Sequence, residues 1–180
     1  MSAVVALLRG INVGGKNKLP MAQLREIAEG CGYEDPRTYI QSGNLVLASV
    51  ERAVADAQST LASAIREVTG LDIPVVARSG AQWVDAIVSN PFPDAAADGR
   101  TLHVVFLPET ASSAVREFEA GPFAPDEIAV RGSEVYLHMP NGMSRSKLAE
   151  AVMRLDNANS GTARNWNTVL AIAALLPPRA

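Results

Sequence analysis

The sequence predicts an α/β (α+β) protein of two ferredoxin-like subdomains, the second incomplete and followed by an added C-terminal helix. Three observations predict this fold. The elements of the first half follow the order βαββαβ, which is typical of ferredoxin-like domains. A segment rich in proline, aspartate and glycine predicts a linker at residues 90–100, and the order begins again after it. An apolar content of 48% and a charged content of 19% over 180 residues are those of a globular chain long enough for two small subdomains.

The first subdomain is predicted over residues 1–89, and it begins with a strand. Residues Val4 to Leu8 are all apolar, a short run that indicates a buried strand. Pro20 suits the first turn of the following helix, and Gly30 suits its end. Two short strands then flank the turn residues 42–44, which is a hairpin signal.

A second helix, a strand and a short helix complete this subdomain. Apolar side chains recur at helical spacing from Val54 to Val68 and define one face, and Gly70 ends the helix. Residues Ile73 to Arg78 are the last predicted strand. The short helix follows from Ala81 to Val88.

The second subdomain, with the terminal helix, is predicted over residues 101–180. No final strand is predicted for it. In place of that strand, a nearly all-apolar segment from Trp166 to Leu176 predicts a buried terminal helix. The other predicted elements, in chain order, are a strand (Leu102 to Leu107), a helix (Ser113 to Ala120), a hairpin (Glu127 to Arg131 and Glu134 to Met139) and a helix (Arg145 to Leu155).

Charge is distributed unevenly along the chain. The net charge is −3, which disfavours a broad grip on nucleic acid. Residues 1–50 hold five bases and four acids, residues 51–140 six bases and thirteen acids, and residues 141–180 five bases and two acids. The two ends are therefore mildly basic and the middle is acidic. We expect the ends to form a local positive patch, the alternative being scattered solvated charges.

The segment Arg9 to Pro20, RGINVGGKNKLP, is the strongest chemical signal in the chain. It follows a strand and carries three bases, three glycines and two asparagines, with no acid. Such a loop is suited to bind an anion through its backbone amides. Residues Gly10 to Lys16 fit the start of the P-loop pattern, but Asn17 replaces the magnesium-binding Ser or Thr, and Pro20 delays the helix. We expect an anion-binding loop of another kind, the alternative being a tight turn that simply requires glycine.

Two further basic segments precede predicted helices. Gly142 to Lys147, GMSRSK, leads into one predicted helix that Ser144 can cap, and the first turn then presents a hydroxyl group and two bases. Gly161 to Thr168, GTARNWNT, does the same for the last helix. Each segment could hold a phosphate or carboxylate by combining the helix dipole with charged hydrogen bonds. Ordinary helix capping is the alternative for each. Three acid-free basic segments in one small protein favour a shared site.

Metal and nucleophile patterns are missing from the sequence. His103 and His138 each stand alone, with no carboxylate or thiol at ligand spacing, so we expect structural histidines and no metal site. The single cysteine, Cys31, lies on a helical apolar face and excludes an internal disulfide. No G-x-S-x-G pattern is present. The sequence therefore indicates no catalytic residues and no particular cofactor.

Nucleic acid is a less favoured partner. A base-stacking sheet needs aromatic residues on its central strands. The first half offers none there, and the second offers only Phe106 and Tyr136. Aromatic residues make up 5% of the chain, which is low for a stacking protein.

Several long strings give the chain a resemblance to a known family. LLRGINVGGKNKLPM, RTYIQSGNLVL, NPF, LHVVFLPE, VYLHMPNGMSRSKL and TARNWNTVL occur in this order. Together they resemble the bacterial family called Domain of Unknown Function 1697 over about residues 4–176. The resemblance implies two ferredoxin-like subdomains and no established activity, substrate or cofactor. Its strongest strings coincide with the basic segments.

The sequence leads to one preferred functional hypothesis. We expect a cytoplasmic protein, with no membrane association, that binds a small phosphorylated or nucleotide-like anion in a groove between the two subdomains. An enzyme acting on such a ligand, a nucleic-acid-binding module and a structural or regulatory partner protein are the alternatives, and the oligomeric state is open. The expected ligand-binding residues are Arg9, Asn12, Lys16, Ser42, Asn44, Ser146, Lys147, Arg164 and Asn165.

Overall fold

A computed structural model describes residues 2–49, 54–155 and 160–177 and shows two four-stranded antiparallel sheets. The first sheet has the strand order β2-β3-β1-β4, the arrangement expected of the βαββαβ pattern. Its elements are β1 (Ser2–Leu8), α1 (Met21–Gly30), β2 (Glu34–Tyr39), β3 (Asn44–Ser49), α2 (Val54–Thr69) and β4 (Val75–Ser79), followed by α3 (Gly80–Val88).

Strand β1 is buried on both of its faces. Val4, Ala6 and Leu8 share one hydrophobic core with side chains of α1 and α2. Val5 and Leu7, which point to the opposite face, are also fully buried. Burial of both faces is the reason that this strand is continuously apolar rather than alternating.

The second sheet has the same order in its own numbering, β6-β7-β5-β8. A 3-10 helix, Asp94–Asp98, lies in the segment predicted as a linker. The elements that follow are β5 (Leu102–Phe106), α4 (Ser113–Arg116), β6 (Glu127–Arg131), β7 (Glu134–His138), α5 (Lys147–Val152), β8 (Thr162–Asn165) and α6 (Trp166–Ala173). Short 3-10 helices at Gly121–Phe123 and Met143–Arg145 precede β6 and α5. The α+β fold class predicted from the sequence is confirmed.

The prediction that the second half lacks its last strand is wrong, because β8 pairs with β5 along Thr162–Asn165. This strand escaped prediction because its buried side chains are polar. Thr162 and Arg164 point to one face and are buried there. The Arg164 guanidinium donates to Thr162 Oγ1 at 2.8 Å and to Ala163 O at 2.8 Å. These hydrogen bonds allow polar side chains to be buried on this face.

The last strands of the two sheets carry matching arginines. Arg78 of β4 lies opposite Val5 of β1, and Arg164 of β8 lies opposite Val104 of β5. Each guanidinium donates to the carbonyl of the preceding alanine, Ala77 at 2.9 Å for Arg78. Both arginines are buried.

The chain divides into two compact units. One comprises Met1–Val84 with Ala171–Ala180, and the other comprises Asp85–Leu170. The boundary predicted from the sequence, 1–89, 90–100 and 101–180, stays a prediction. No helix in the described ranges is long and apolar enough to cross a membrane.

Candidate functional site

The basic loop, which we define as residues 9–20, folds into a small hairpin between β1 and α1. Val13 and Lys16 form an isolated antiparallel bridge, with the Lys16 amide donating to Val13 O at 3.0 Å. Gly14 and Gly15 make the two-residue turn between them, and both have positive φ, of 57° and 77°. Tight two-residue hairpin turns require this conformation, so the glycines are needed here for geometry.

The amide of Asn12 holds the basic loop in place. Its Nδ2 donates to Leu19 O at 2.9 Å and to Gln41 O at 2.8 Å, and its Oδ1 accepts from the Leu19 amide at 2.9 Å. A second asparagine, Asn17, donates from Nδ2 to Gly10 O at 3.0 Å. The Asn12 side chain thus closes the loop and also ties it to the turn before β3.

That turn, residues 40–43, packs directly against the end of β1. The Leu8 amide donates to Gly43 O at 2.8 Å. A Cβ atom built on Gly43 would lie 2.6 Å from Leu8 Cβ, and the residue has φ of 77°. Asn44 is buried and donates from Nδ2 to Tyr39 O and to Ser42 Oγ, each at 3.0 Å. The structure therefore joins the loop that carries Arg9, Asn12 and Lys16 to the turn that carries Ser42 and to Asn44 at the start of β3.

Internal hydrogen bonds fix the roles of the two asparagines. Both Nδ2 donors of Asn12 and both of Asn44 are used within the protein. They therefore position the loop and the turn. Neither side-chain amide has a donor left for a ligand.

Cations and apolar side chains are exposed together at this place. Lys16 and Lys18 are exposed, and neither forms an ion pair within the described ranges. Val13 is 66% exposed and Ile40 is 53% exposed. Ile40 also has φ of 47°, an unfavourable conformation for a β-branched residue. Such strain combined with exposure is found where a protein meets a ligand or partner.

The loop differs from a P-loop in how it meets its helix. Helix α1 begins at Met21, five residues after Lys16, so its N-terminus does not start at the lysine. Pro20 precedes the helix with extended backbone, φ −60° and ψ 141°. The geometry is therefore not that of a P-loop, and the anion-binding loop of another kind stays a prediction.

In the second unit, helix α5 begins at Lys147, so Ser146 caps it and the predicted cap at Ser144 is wrong. The Ser146 Oγ accepts from the Ala149 amide at 2.9 Å and donates to Asp126 Oδ2 at 2.6 Å. The next residue, Lys147, is exposed and lines a depression of about 240 Å³ together with Arg145 and Asn141. Asp126 lies in the same lining, so this depression combines two cations with one carboxylate.

Arg164 and Asn165 have structural partners. Burial lowers the pKa of the Arg164 guanidinium to about 10. Asn165 caps helix α6, since its Oδ1 accepts from the Thr168 amide at 2.9 Å. Of the four residues predicted in this unit, Lys147 is the one that is exposed and lines a depression.

The pKa values of one tyrosine and one histidine are shifted chiefly by burial rather than by a catalytic partner. Burial, and secondarily the Glu134 carboxylate, raises the pKa of Tyr136, whose hydroxyl donates to Ala86 O at 2.6 Å. Burial lowers the pKa of His103. The second histidine, His138, lies with Nδ1 2.7 Å from Glu127 Oε2. Within the part of the chain that the structure describes, no group of three or more His, Cys, Asp or Glu could hold a metal ion.

Sequence reasoning missed three residues at these places. Gln41 contributes its carbonyl to Asn12, and Ile40 is exposed beside it. Asp126 is the partner of Ser146. The sequence offers one signal for these residues, the isoleucine that begins the turn at residues 40–43, since turn positions are usually polar.

Comparisons with known proteins agree on the fold and leave the function open. A family model described as "Protein of unknown function (DUF1697)" matches residues 1–136. No curated protein matches the chain. The solved structure of the conserved bacterial protein SP0830 from Streptococcus pneumoniae is similar, with 21% sequence identity and a TM-score of 0.77 over 96% of this chain and 97% of that chain. A likeness at this identity supports the fold alone.

Proposed function

The chain belongs to the DUF1697 family, which has no known function, and from its own side chains we propose that it binds a small phosphorylated or nucleotide-like anion. The binding element is the basic loop, residues 9–20. Lys16 and Lys18 supply charge, and the turn amides of Gly14 and Gly15 supply hydrogen bonds. The single cysteine and the modest charge fit the cytoplasmic location included in this proposal.

One observation carries the proposal, namely that two exposed lysines project from a loop that is held rigid. The three hydrogen bonds of Asn12 and the bond from Asn17 fix the loop, and none of these four bonds uses a lysine side chain. An anion therefore meets charges whose supporting backbone is already ordered. Such preorganisation lowers the entropic cost of binding.

The chemistry of the loop favours phosphate over a cation or an uncharged ligand. No acidic residue lies between Arg9 and Pro20. The amides of Gly14 and Gly15 donate to no group of the described chain. Ammonium groups and backbone amides together are the usual donors to phosphate oxygens. The exposed Val13 beside them offers an apolar surface for a sugar or base.

The experiment is a thermal-shift screen over nucleotides and sugar phosphates, followed by calorimetric titration of the best ligand. We expect Lys16→Ala/Lys18→Ala to weaken its binding by at least tenfold, because each charged contact contributes roughly 1.5–3 kcal/mol. Arg131→Ala/Arg154→Ala removes the same charge from exposed positions of the second unit and is the matched control. Equal losses in the two variants, or no loss in the first, would reject the proposal.

The wider prediction, a groove between the two subdomains, requires Lys147 to act on the same ligand. A double-mutant cycle tests it. The affinity losses of Lys16→Ala and Lys147→Ala would be non-additive if one ligand contacts both. A normal affinity in Lys147→Ala would confine the ligand to the basic loop.

A further inference from the structure

A groove between helices α1 and α2 lies apart from the basic loop. It has a volume of about 500 Å³, and every residue that lines it comes from these two helices or from Cys31, just after α1. The α1 side of the groove is one helical face, with Gln23, Glu26, Ile27 and Gly30 at spacings of three, four and seven residues. The groove therefore follows the axis of α1, whose ten residues span about 15 Å.

The floor of the groove is apolar and open. Ile27 and Cys31 lie at its base, with Ala64 and Val68 on the α2 side. Val68 is 58% exposed, so much of its side chain does not gain the free energy that burial of apolar surface provides. A Cβ atom built on Gly30 meets no atom within 4 Å, so the space above this glycine is empty.

The rim of the groove is acidic. Glu26 projects from α1 and Glu67 from α2, and both are exposed. Neither carboxylate takes part in an ion pair with any residue that the structure describes. An occupant that complements this groove presents apolar groups to the floor and cations to the rim.

We propose that this groove binds a basic amphipathic helix of a partner protein. The two helices that line the groove use their backbone groups in their own hydrogen bonds, so the groove offers no edge with which an extended peptide could pair. A helix satisfies its own backbone and needs only side-chain contacts. Its apolar side chains at i and i+4 would lie on Ile27 and Val68, with lysines or arginines beside Glu26 and Glu67.

The test uses a fluorescent helical peptide of leucine and lysine, with the leucines on one face, and the full-length protein. We expect Glu26→Lys/Glu67→Lys to weaken binding at least tenfold. Glu109→Lys/Glu119→Lys, which changes the net charge equally at exposed positions of the second unit, should change it less than twofold. Equal effects in the two variants would show attraction by net charge and overturn the proposal.

A groove-filling variant tests the location independently. Gly30→Phe adds a ring where the structure leaves open space, at a helical position that any residue can adopt. We expect this variant to keep the melting temperature of the wild type, or exceed it, and to lose binding of the peptide. Wild-type affinity in Gly30→Phe would overturn the proposal.

Cys31 gives a direct report of occupancy, because it is the one cysteine in the chain and it lines the groove. We expect saturating peptide to slow the reaction of Cys31 with a small thiol reagent by at least fivefold. An unchanged rate would overturn the proposal. Equal protection by a leucine–glutamate peptide would also overturn it, because the acidic rim would then not select a basic partner. Equal protection by a simple alkylamine would overturn it as well, because the groove would then be a site for small cations.

Discussion

Four residues of the first unit other than glycine adopt the left-handed backbone conformation, and they tolerate it unequally. Asn12, Asn17 and Asp35 have φ of 55°, 47° and 45°, and short polar side chains accept this region. Ile40 has φ of 47° with a β-branched side chain that resists it. The isoleucine therefore costs stability at a place where the fold does not need an apolar residue.

Replacing Ile40 should stabilise the protein. We expect Ile40→Asn to raise the free energy of unfolding by about 1 kcal/mol, because it relieves a left-handed β-branched residue. Urea denaturation gives the value. Ile40→Val keeps the β-branch and should leave stability nearly unchanged. A loss of stability in Ile40→Asn would mean that its exposed apolar side chain packs against something in solution.

Replacing Asn12 should have the opposite effect. Asn12→Ala removes both donors and the acceptor that close the basic loop, and we expect a loss of about 1–3 kcal/mol. Asn12→Asp keeps the acceptor for the Leu19 amide but sets a carboxylate oxygen against the Leu19 and Gln41 carbonyl oxygens, so it should lose at least as much. Thermal unfolding compares the two. Phosphate affinity should fall in Asn12→Ala as well, since the lysines lose their ordered support, and an unchanged affinity would argue against preorganisation.

His103 should make stability depend on pH. Its Nδ1 atom is buried with no hydrogen-bond partner among the described residues, and burial lowers its pKa. The unfolded histidine, with a pKa of about 6.5, binds a proton more readily than the folded one. The stability is therefore fully present above the unfolded pKa and falls as the pH drops below it toward the folded pKa.

The variant His103→Phe should remove this dependence. We expect the urea midpoint of the wild type to fall between pH 7.5 and 5.0 by more than that of His103→Phe. Comparing the two proteins at each pH cancels the contributions of the other titrating groups. Parallel pH profiles would contradict the assignment to His103.

At the scale of elements, the sequence predicts those whose buried face is apolar. Strand β1 was found because both faces are buried and every residue from Val4 to Leu8 is apolar. Strand β8 was missed because Thr162 and Arg164 form its buried face. The helix predicted from Ser113 to Ala120 ends at Arg116, since the chain turns there toward a 3-10 helix that contains Pro122.

Strand β8 also places a glycine in contact with β5. A Cβ atom on Gly161 would lie 2.7 Å from Val105 Cγ1 and 3.0 Å from Phe106 O. We expect Gly161→Ala to destabilise the protein by about 1–3 kcal/mol through overpacking. Gly121→Ala is the control, because a Cβ atom there meets nothing within 4 Å. Equal thermal stability of the two variants would show that β8 moves away at little cost.

At the scale of the molecule, the charges on the chain disfavour binding of a long nucleic acid. The middle ninety residues carry thirteen acids against six bases. Recognition of a long polyanion needs many phosphate contacts spread over a surface. We therefore expect no shifted band when a 20-nucleotide single-stranded DNA or RNA is mixed with micromolar protein at 150 mM salt. A shift whose strength falls steeply with added salt would instead support the nucleic-acid alternative.

The sequence marks the loop of the candidate site but does not reveal which of its side chains hold the loop in place. The composition of Arg9 to Pro20 marks the loop, because glycine, asparagine and basic residues without acids are visible in any sequence. The hydrogen bonds that occupy Asn12 and Asn44 depend on the turn at Gln41, which lies 29 residues from Asn12. No local pattern reveals a partner at that distance. The capping role of Asn165, in contrast, follows from local spacing, whereas Ser146 caps a helix that begins at Lys147 rather than at the predicted Arg145.

The shared order of the two sheets also bears on the origin of the chain. Arg78 and Arg164 occupy the same position in the last strand of each sheet, face a valine of the first strand, and bond the carbonyl of an alanine one residue before. Two independent lineages would have little reason to reach the same arginine by separate routes. A tandem gene duplication explains the match, because both copies would inherit the arginine from the same ancestral strand.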